Sequence, residues 1–261
     1  MGAQNASKAK RVVGAVLSIT CFLLLWQWGT SGTKLGLLMP TPIQVAERFL
    51  RSFVDPIGKY SILGHVMFSL SRVIIGYSAA AFCGIALGIL MGRYRVVEAI
   101  FMPLYEMIRP IPPIAWIPLA ILWFGLGEMT KWFLIFLSTF NTITLNVYSG
   151  AKSVDPVLLG ASKMLGANPL QTMYTIVMPY TVPFIFAGLH TAISVSWATV
   201  VAAEMVRSTE GVGWIIINAM EINNMVQVLT GIVAIGMVGY LLAIIMRKVE
   251  DVMCRWNKGG K

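Results

Sequence analysis

Residues 160–203 read GASKMLGANPLQTMYTIVMPYTVPFIFAGLHTAISVSWATVVAA, and from Met164 onward this stretch contains no Lys, Arg, Asp or Glu. A helix needs about 20 apolar residues to cross the hydrocarbon core of a membrane, so the charge-free part is too long for one crossing. Proline removes a backbone donor and clashes with the preceding helical turn, and prolines interrupt the stretch at positions 169, 179 and 183. We therefore predict a short, polar-ended helix before Pro179 and a membrane span from Tyr180 to Ala203.

The whole chain has the composition of a membrane protein. Hydrophobic residues make up 57% of its 261 residues and charged residues only 12%, against about 25% charged residues in a typical soluble domain. So few charges cannot cover a water-exposed surface, and lipid is expected to cover much of the protein. The net charge is +9, but the basic residues lie mostly at the ends of apolar stretches. There they set membrane orientation and do not indicate nucleic-acid binding.

Five further charge-free windows are long enough to form membrane helices. They are Val12–Thr33, Val73–Gly92, Pro110–Gly127, Trp132–Ala151 and Ile222–Met246, and the third extends backwards through residues 99–108. No small-residue cleavage site follows the first window, so we expect it to be retained as the first membrane helix. The predicted fold class is an all-α polytopic membrane protein with six transmembrane helices.

The distribution of Lys and Arg among the loops predicts the orientation. With the N-terminus inside, the cytoplasmic set is Lys8, Lys10, Arg11, Arg93, Arg95, Lys152, Lys163, Arg247, Lys248, Arg255, Lys258 and Lys261. The smaller outside set is Lys34, Arg48, Arg51, Lys59, Arg72, Lys131 and Arg207. We therefore expect both termini in the cytoplasm. The amphipathic segment 41–53 is expected to lie on the outer membrane surface.

Small residues recur at a fixed spacing between the fourth and fifth spans. Gly160, Ala161 and Ser162 are followed after three residues by Gly166, and after nine more by Ile176, Val177, Met178 and Pro179. A helix with a small-residue face can dock closely on a partner, and a glycine permits the left-handed turn that redirects the chain. The alternative is an ordinary helix–turn–helix loop.

This spacing resembles the cytoplasmic coupling motif of ABC importer permeases, which reads Glu-Ala-Ala, three residues, Gly, nine residues, Ile-x-Leu-Pro. By this resemblance the ATPase-coupling residues are Gly160, Ala161, Ser162, Gly166, Ile176 and Pro179. Three positions depart from the pattern, namely Gly160, Ser162 and Met178. Gly160 brings no carboxylate for a salt bridge to an ATPase.

The resemblance extends over most of the chain, from about Leu38 to Trp256. Stretches similar to the nitrate/sulfonate/taurine permease family are LMPTP (38–42), SLSRV (69–73), RPIPP (109–113), WFGLGE (123–128) and VAAEM (201–205). Within that family the taurine permeases look closest, through IRP (108–110) and WATVVAAE (197–204).

The resemblance implies the transmembrane domain of a type I ABC importer in the bacterial inner membrane. Two copies of the permease would pair, with two cytoplasmic ATPase subunits beneath them and a periplasmic binding protein delivering substrate. Residues 1–66 would form an N-terminal membrane helix and periplasmic segment. Residues 67–256 would form the permease domain, with its coupling loop near 155–179. The chain has no Gly-x-x-x-x-Gly-Lys-Ser/Thr phosphate loop, so we expect that it neither hydrolyses ATP nor binds a cofactor. ATP and magnesium would bind to the partner ATPase subunits.

The predicted function is ATP-driven import of a small, anionic organic solute such as taurine or another sulfonate. Nitrate and other small anions stay open as substrates. An ion-coupled secondary transporter or channel for a small anion is the alternative, which would show an internal repeat with paired discontinuous helices. A membrane-embedded enzyme would need clustered His, Cys or carboxylates. The scattered Cys21, Cys83 and Cys254 with His65 and His190 give no metal-ligand spacing.

Several residues are candidates for the translocation path: Glu106, Arg109, Pro112, Trp197 and Thr199. Ionisable residues at membrane depth usually face a partner or a water-filled cavity. Glu106 and Arg109 either line a cavity that attracts an anion or form an i,i+3 ion pair that fixes helix packing. The prolines from 110 to 118 predict a break in the helix beside the path. Trp197 also fits an interfacial aromatic belt.

Two further features concern the packing of the helices and the outer surface. Gly84, Gly88 and Gly92 share one face of the second span and predict close helix packing. Glu204 is expected in the outer loop with Arg207 and Glu210, ahead of a short helix from about Gly211 that dips into the outer leaflet.

Overall fold

The computed structural model describes residues 2–33, 36 and 38–255, with only the backbone for residues 2–12 and 15. Four residues on which predictions depend lie outside the described residues. The predicted orientation uses Lys34, Lys258 and Lys261, and the predicted permease domain ends at Trp256. Apart from one isolated bridge between Ile57 and Tyr60, the described chain contains no β structure. The all-α prediction is confirmed.

The helices are numbered in chain order. The first six are α1 (Gly2–Thr30), α2 (Pro42–Arg51), α3 (Ile62–Arg93), α4 (Arg95–Ile108), α5 (Ile117–Phe124) and α6 (Glu128–Lys152). The remaining five are α7 (Pro156–Met164), α8 (Pro169–Thr172), α9 (Met178–Val206), α10 (Val212–Glu221) and α11 (Met225–Met253). A 3-10 turn, Pro113–Trp116, precedes α5, and a π-helical turn, Met173–Val177, joins α8 to α9.

Each of the six predicted windows falls on helical structure. Among the described residues, three helical runs are long and apolar enough to cross a membrane, namely α3, Pro169–Val206 and α11. A fourth is obtained if α4 and the segment Pro113–Phe124, which are bent by 89° at their junction, form one broken span. Val16–Thr30 and α10 are shorter apolar helices.

The fifth span begins earlier than predicted. A single helical run continues from Pro169 to Val206, whereas the sequence indicated a division at Pro179. Pro179 lies in the first turn of α9, directly after the π-helical turn. Pro179 has no N–H to donate to the preceding turn. The π turn before it is closed by a wider hydrogen bond, from the Met178 N–H to the Met173 carbonyl, and the helix continues through Pro179.

Helices α3 and α6 pack closely along the predicted glycine face. A methyl group on Gly88 would lie 2.8 Å from the Thr144 carbonyl oxygen, and one on Gly92 would lie 2.5 Å from the Ala151 side chain. No larger residue fits there without moving α6, so the prediction of close helix packing is confirmed.

The chain divides into two compact units, residues 1–63 with 215–234 and residues 64–214 with 235–261. In the first unit the indole of Trp26 donates to the Pro40 carbonyl at 3.1 Å, and Thr41 caps the amphipathic helix α2. In the second unit α3, α6 and α9 share a core that includes Val73, Ile135 and Val200. The second unit carries all the site residues discussed below, and the predicted division at residue 66 stays a prediction.

Candidate functional site

The predicted coupling segment begins with helix α7, which has a well-defined start. Asp155 accepts a hydrogen bond from the backbone N–H of Val157 at 2.8 Å, and Pro156 occupies the first helical turn. An aspartate cap followed by proline is a strong helix start, because the cap satisfies a free N–H and proline has none to satisfy. The short helix is therefore specified locally by its own sequence.

The end of α7 is a tight, hydrogen-bonded turn at Gly166. This residue has a φ of +77°, its N–H donates to the Lys163 carbonyl, and the Ala167 N–H donates to the Ser162 carbonyl, both at 3.0 Å. These two bonds form a Schellman motif, in which a left-handed residue closes the helix. The positive φ predicted for Gly166 is confirmed. Asn168 then caps α8 through a reciprocal pair of hydrogen bonds with Gln171.

The six predicted coupling residues do not share one exposed face. Gly160 is exposed, with open space around it, and Ala161 is half-buried. Ser162 instead faces inward, and its hydroxyl lies 3.1 Å from that of Thr172. Its small side chain allows α7 to lie close to α8. Ile176 packs among the apolar residues at the end of α6, and Pro179 is exposed at the start of α9.

Large apolar side chains are exposed on and around α7. Met164 is 85% exposed and Leu165 is 87% exposed. Val157 and Leu170 are also largely exposed on the same segment. Large apolar side chains exposed together on one short segment favour an interaction surface there.

The proline-rich segment breaks the third span as predicted. Helix α4 ends at Ile108, Arg109 caps it, and the chain continues through Pro112 into the 3-10 turn. The helical segments on either side differ in direction by 89°. Non-helical backbone at membrane depth is tolerated only against protein or a water-filled cavity, and two cavities lie beside this break.

The first cavity is polar and contains Arg109. Its volume is about 320 Å³, and its lining residues are Tyr105, Arg109, Ile111, Pro113, Ser138, Asn141, Thr142, Leu145, Asn146 and Val195. Arg109 is the one charged residue among them. The Tyr105 hydroxyl donates to the backbone carbonyl of Asn141, which joins α4 to α6 at this point.

The second cavity, of about 440 Å³, is apolar and contains Thr199. Pro113 and Val195 line both cavities. The Thr199 hydroxyl donates to the Val195 carbonyl of its own helix at 2.8 Å. Neither cavity is lined by Pro112 or Trp197.

Two of the predicted path residues lie elsewhere. Trp197 is buried in the core between α3, α6 and α9, and its indole donates to the Ile235 carbonyl at 3.0 Å. That position is neither an aromatic belt nor a cavity wall. Glu106 is exposed on the subunit, and no ion pair joins it to Arg109 in the described chain. The i,i+3 pair considered for these two residues is therefore absent from the described structure.

A buried charge cluster was not anticipated from the sequence. Arg72 lies 2.8 Å from Glu204 and 2.7 Å from Glu128, and its third carboxylate partner is Glu210 at 3.2 Å. The prediction that Glu204 lies in the outer loop is wrong, since Glu204 belongs to α9 and is 1% exposed. Arg72, which the orientation prediction placed in the outside set, is 2% exposed and lies among these carboxylates.

Glu204 also holds the chain that leads into α10. Its carboxylate accepts hydrogen bonds from the Ser69 hydroxyl and, at 3.0 Å, from the Gly213 N–H. A buried carboxylate is tolerated when paired and fully hydrogen-bonded. The sequence did contain a signal for this pair, because Glu204 and Arg72 both lie in largely apolar stretches. Opposite charges in such stretches commonly pair at membrane depth.

Comparison with known proteins identifies the family. A family model described as the binding-protein-dependent transport system inner membrane component matches residues 84–252. The taurine transport system permease protein TauC of Escherichia coli is 32% identical over 256 residues, covering 95% of this chain and 91% of that protein. The nitrate import permease protein NrtB of Synechocystis is 35% identical, covering 89% of this chain and 86% of that protein.

The fold is also found in a solved transporter. An inward-facing structure of the MetNI methionine ABC transporter contains a chain that aligns with a TM-score of 0.60 at 19% identity, covering 74% of this chain and 96% of that chain. Together these matches confirm the predicted family resemblance and the predicted absence of an ATPase function, because in this family ATP hydrolysis belongs to a separate subunit. The chain belongs to the binding-protein-dependent transport system inner membrane component family, the permease subunits of ABC importers.

Proposed function

We propose that this permease imports a small solute carrying an oxyanion group, and that it is driven through α7 by ATPase subunits in the cytoplasm. A second copy of the permease, two ATPase subunits and a periplasmic binding protein complete the transporter. The observation that carries the proposal is the rigid turn at Gly166 next to the exposed side chains of Met164 and Leu165.

The contacts of α7 explain how movement at this surface would reach the membrane helices. Ser162 contacts Thr172 at the start of the fifth span. Leu159 packs against the cluster formed by Ala151, Val154 and Val177. These contacts link α7 both to the end of α6 and to the π turn before α9. A rigid element with packed contacts transmits displacement better than a flexible loop, because close-packed interiors are only slightly compressible.

Alternating access follows from this linkage. Closure of the ATPase dimer on ATP would draw two copies of α7 together and turn α6 and α9 of each copy, which opens the path towards the binding protein. Hydrolysis would reverse the movement and release the solute inward. Each permease has one α7, so two α7 helices can be drawn together only when two copies of the permease pair. The mechanism therefore requires the second copy.

The substrate class rests on the relatives. Their printed names give taurine, nitrate and aliphatic sulfonates as the transported solutes. Sulfonate and nitrate groups share negative charge spread over three oxygens, and they are recognised by guanidinium groups and amide N–H donors. We infer a solute of this class, without choosing among the three.

The proposed orientation places both termini and α7 in the cytoplasm and the loop around Lys59 outside. The excess of Lys and Arg in the loops assigned to the cytoplasm supports it. The inner membrane is the proposed location, as the family description states for its members.

Reconstitution of the transporter tests this function. Permease, ATPase and binding protein are placed in liposomes with ATP at the ATPase side, and uptake of taurine, nitrate and ethanesulfonate is measured with ion gradients collapsed by ionophores. We expect uptake of at least one probe that stops without ATP or without binding protein. Uptake that follows an ion gradient and ignores ATP would instead identify the secondary-transporter alternative.

A further inference from the structure

The polar cavity beside the helix break contains a positive charge with no partner of its own. The Arg109 guanidinium lines the cavity, and no hydrogen bond or ion pair of this group is found within the described residues. Glu106, one turn earlier on α4, neither lines the cavity nor pairs with Arg109. None of the lining residues is acidic. The lining of the cavity therefore carries a net positive charge, which favours an anion.

The facing wall of the cavity is one side of α6. Its polar lining residues are Ser138, Asn141, Thr142 and Asn146, spaced at three, four and eight residues from the first. This is the spacing of a single helical face. Polar residues that share one face of a long helix are expected to line a cavity and not to contact lipid.

The hydrogen bonds in this wall leave amide donors available. The Asn146 side chain uses one N–H on the Thr142 carbonyl at 2.8 Å. The Thr142 hydroxyl already donates to the backbone carbonyl of Ser138, one turn earlier on the same helix, at 3.2 Å. No hydrogen bond of the Asn141 carboxamide is found among the described residues, so both of its N–H groups are free to donate. Arg109 and the two asparagines thus supply N–H donors on opposite walls.

The remainder of the cavity wall is apolar and suits a short carbon chain. Ile111, Pro113, Leu145 and Val195 form it. The volume of about 320 Å³ lies at the lower end of the range of roughly 300–1,000 Å³ that is typical of small-molecule pockets. The backbone of Arg109 is held at the end of α4, because its N–H donates to the Tyr105 carbonyl at 2.9 Å and Tyr105 is itself tied to α6.

We propose that this cavity is a solute-binding site within the permease, in which Arg109, Asn141 and Asn146 bind the oxyanion group and Leu145 and Val195 contact the carbon chain when the solute is a sulfonate. The inference rests on the proposed function, and it adds that the permease itself selects for negative charge after the binding protein has released the solute. The lining residues of this site belong to the segment around the helix break and to α6. Movement of these elements during transport would therefore form or open the site.

Uptake kinetics of the complete reconstituted transporter test the site. The probes are taurine, nitrate and ethanesulfonate, and the variants are Arg109→Gln, Arg109→Lys and Asn141→Ala. Loss of a charge-assisted hydrogen bond should raise the KM for uptake about tenfold or more in Arg109→Gln. Arg109→Lys should recover part of the loss, and Asn141→Ala should raise KM about threefold to tenfold.

Two control variants separate a binding role from a general effect of charge. Glu106→Gln alters an exposed residue on the same helix, and Arg247→Gln removes an exposed arginine from α11. Both should leave KM unchanged. An effect of Glu106→Gln equal to that of Arg109→Gln would show that the two residues act as an ion pair, and it would overturn the inference.

The remaining outcomes are also decisive. An unchanged KM in Arg109→Gln overturns the site while leaving the proposed function intact. If Arg109→Gln fails to assemble with the ATPase, Asn141→Ala decides, and an unchanged KM there overturns the site as well. If the wild-type transporter imports none of the three probes, the proposed substrate class fails and this inference fails with it.

Discussion

The guanidinium of Arg72 and the carboxylate of Glu204 lie 2.8 Å apart, and the two side chains are 3% and 0% exposed. Arg72 comes from the first third of α3 and Glu204 from the last turn of α9, 132 residues later. Glu128 and Glu210 add two more carboxylates, and Lys131 adds a second positive charge at 2.8 Å from Glu128. The cluster joins α3, α6 and α9 with the segment leading into α10.

Removing one partner of this pair should destabilise the permease strongly. Arg72→Met leaves the Glu204 carboxylate buried without its cation, which typically costs about 3–5 kcal/mol. We expect a much lower thermal unfolding midpoint for the detergent-solubilised protein and poor recovery from the membrane. As a control, Arg51→Gln breaks an exposed pair with Glu47 and should cost less than about 1 kcal/mol. Equal effects of the two variants would argue against a structural role for the cluster.

The glycine face of α3 gives a second prediction about stability. Gly88→Ala places a methyl group 2.7 Å from the Val147 side chain and 2.8 Å from the Thr144 carbonyl oxygen. Overpacking of a close helix contact costs about 1–3 kcal/mol, so the unfolding midpoint should fall. Gly236→Ala on α11 is the matched control, because no atom lies within 4 Å of the new methyl group. A Gly88→Ala protein as stable as the Gly236→Ala protein would show that α3 and α6 are not packed this closely.

The proposed orientation can be measured by cysteine labelling. In a background without Cys21, Cys83 and Cys254, a cysteine at position 152 should react with a membrane-impermeant maleimide only from the cytoplasmic side. A cysteine at position 59 should react only from outside, since Lys59 and Lys152 are both exposed. The opposite pattern would reject the orientation with both termini inside.

The local features of the fold were predictable from the sequence. The prolines from 110 to 118 predicted the broken helix, the glycine spacing predicted a close helix contact on one face of α3, and the coupling spacing predicted the positive φ of Gly166. Each of these depends on a few neighbouring residues whose backbone preferences are strong. The π turn before Pro179 was not predicted, because the sequence shows where proline removes a hydrogen bond but not how the helix compensates.

The features that depend on tertiary contacts were missed. Glu204 was assigned to a loop because it follows a charge-free window, and only the arrangement of α3 and α9 brings it to Arg72. Arg109 lines a cavity, which was one of the two alternatives considered for it, whereas Asn141 and Asn146 were not singled out. Their spacing with Ser138 on one face of α6 is visible in the sequence and was a usable signal for a polar wall.

The central claim is that ATP hydrolysis by a partner is coupled to transport through α7 and its closing turn. At Gly166 a β-branched side chain would be held in the left-handed region at a cost of about 1–2 kcal/mol, which should displace α7 from its docking position. Asparagine tolerates this conformation far better, so Gly166→Asn is the matched control. Gly236→Ala, at an open and exposed position on α11, should leave coupling intact.

The measurement that tests this claim most directly is the number of solute molecules imported per ATP hydrolysed by the reconstituted transporter carrying Gly166→Val. We predict that ATP hydrolysis persists while this ratio falls about tenfold or more, and that Gly166→Asn restores most of it. A Gly166→Val transporter that hydrolyses ATP and imports solute at the wild-type ratio would contradict the coupling role of this turn.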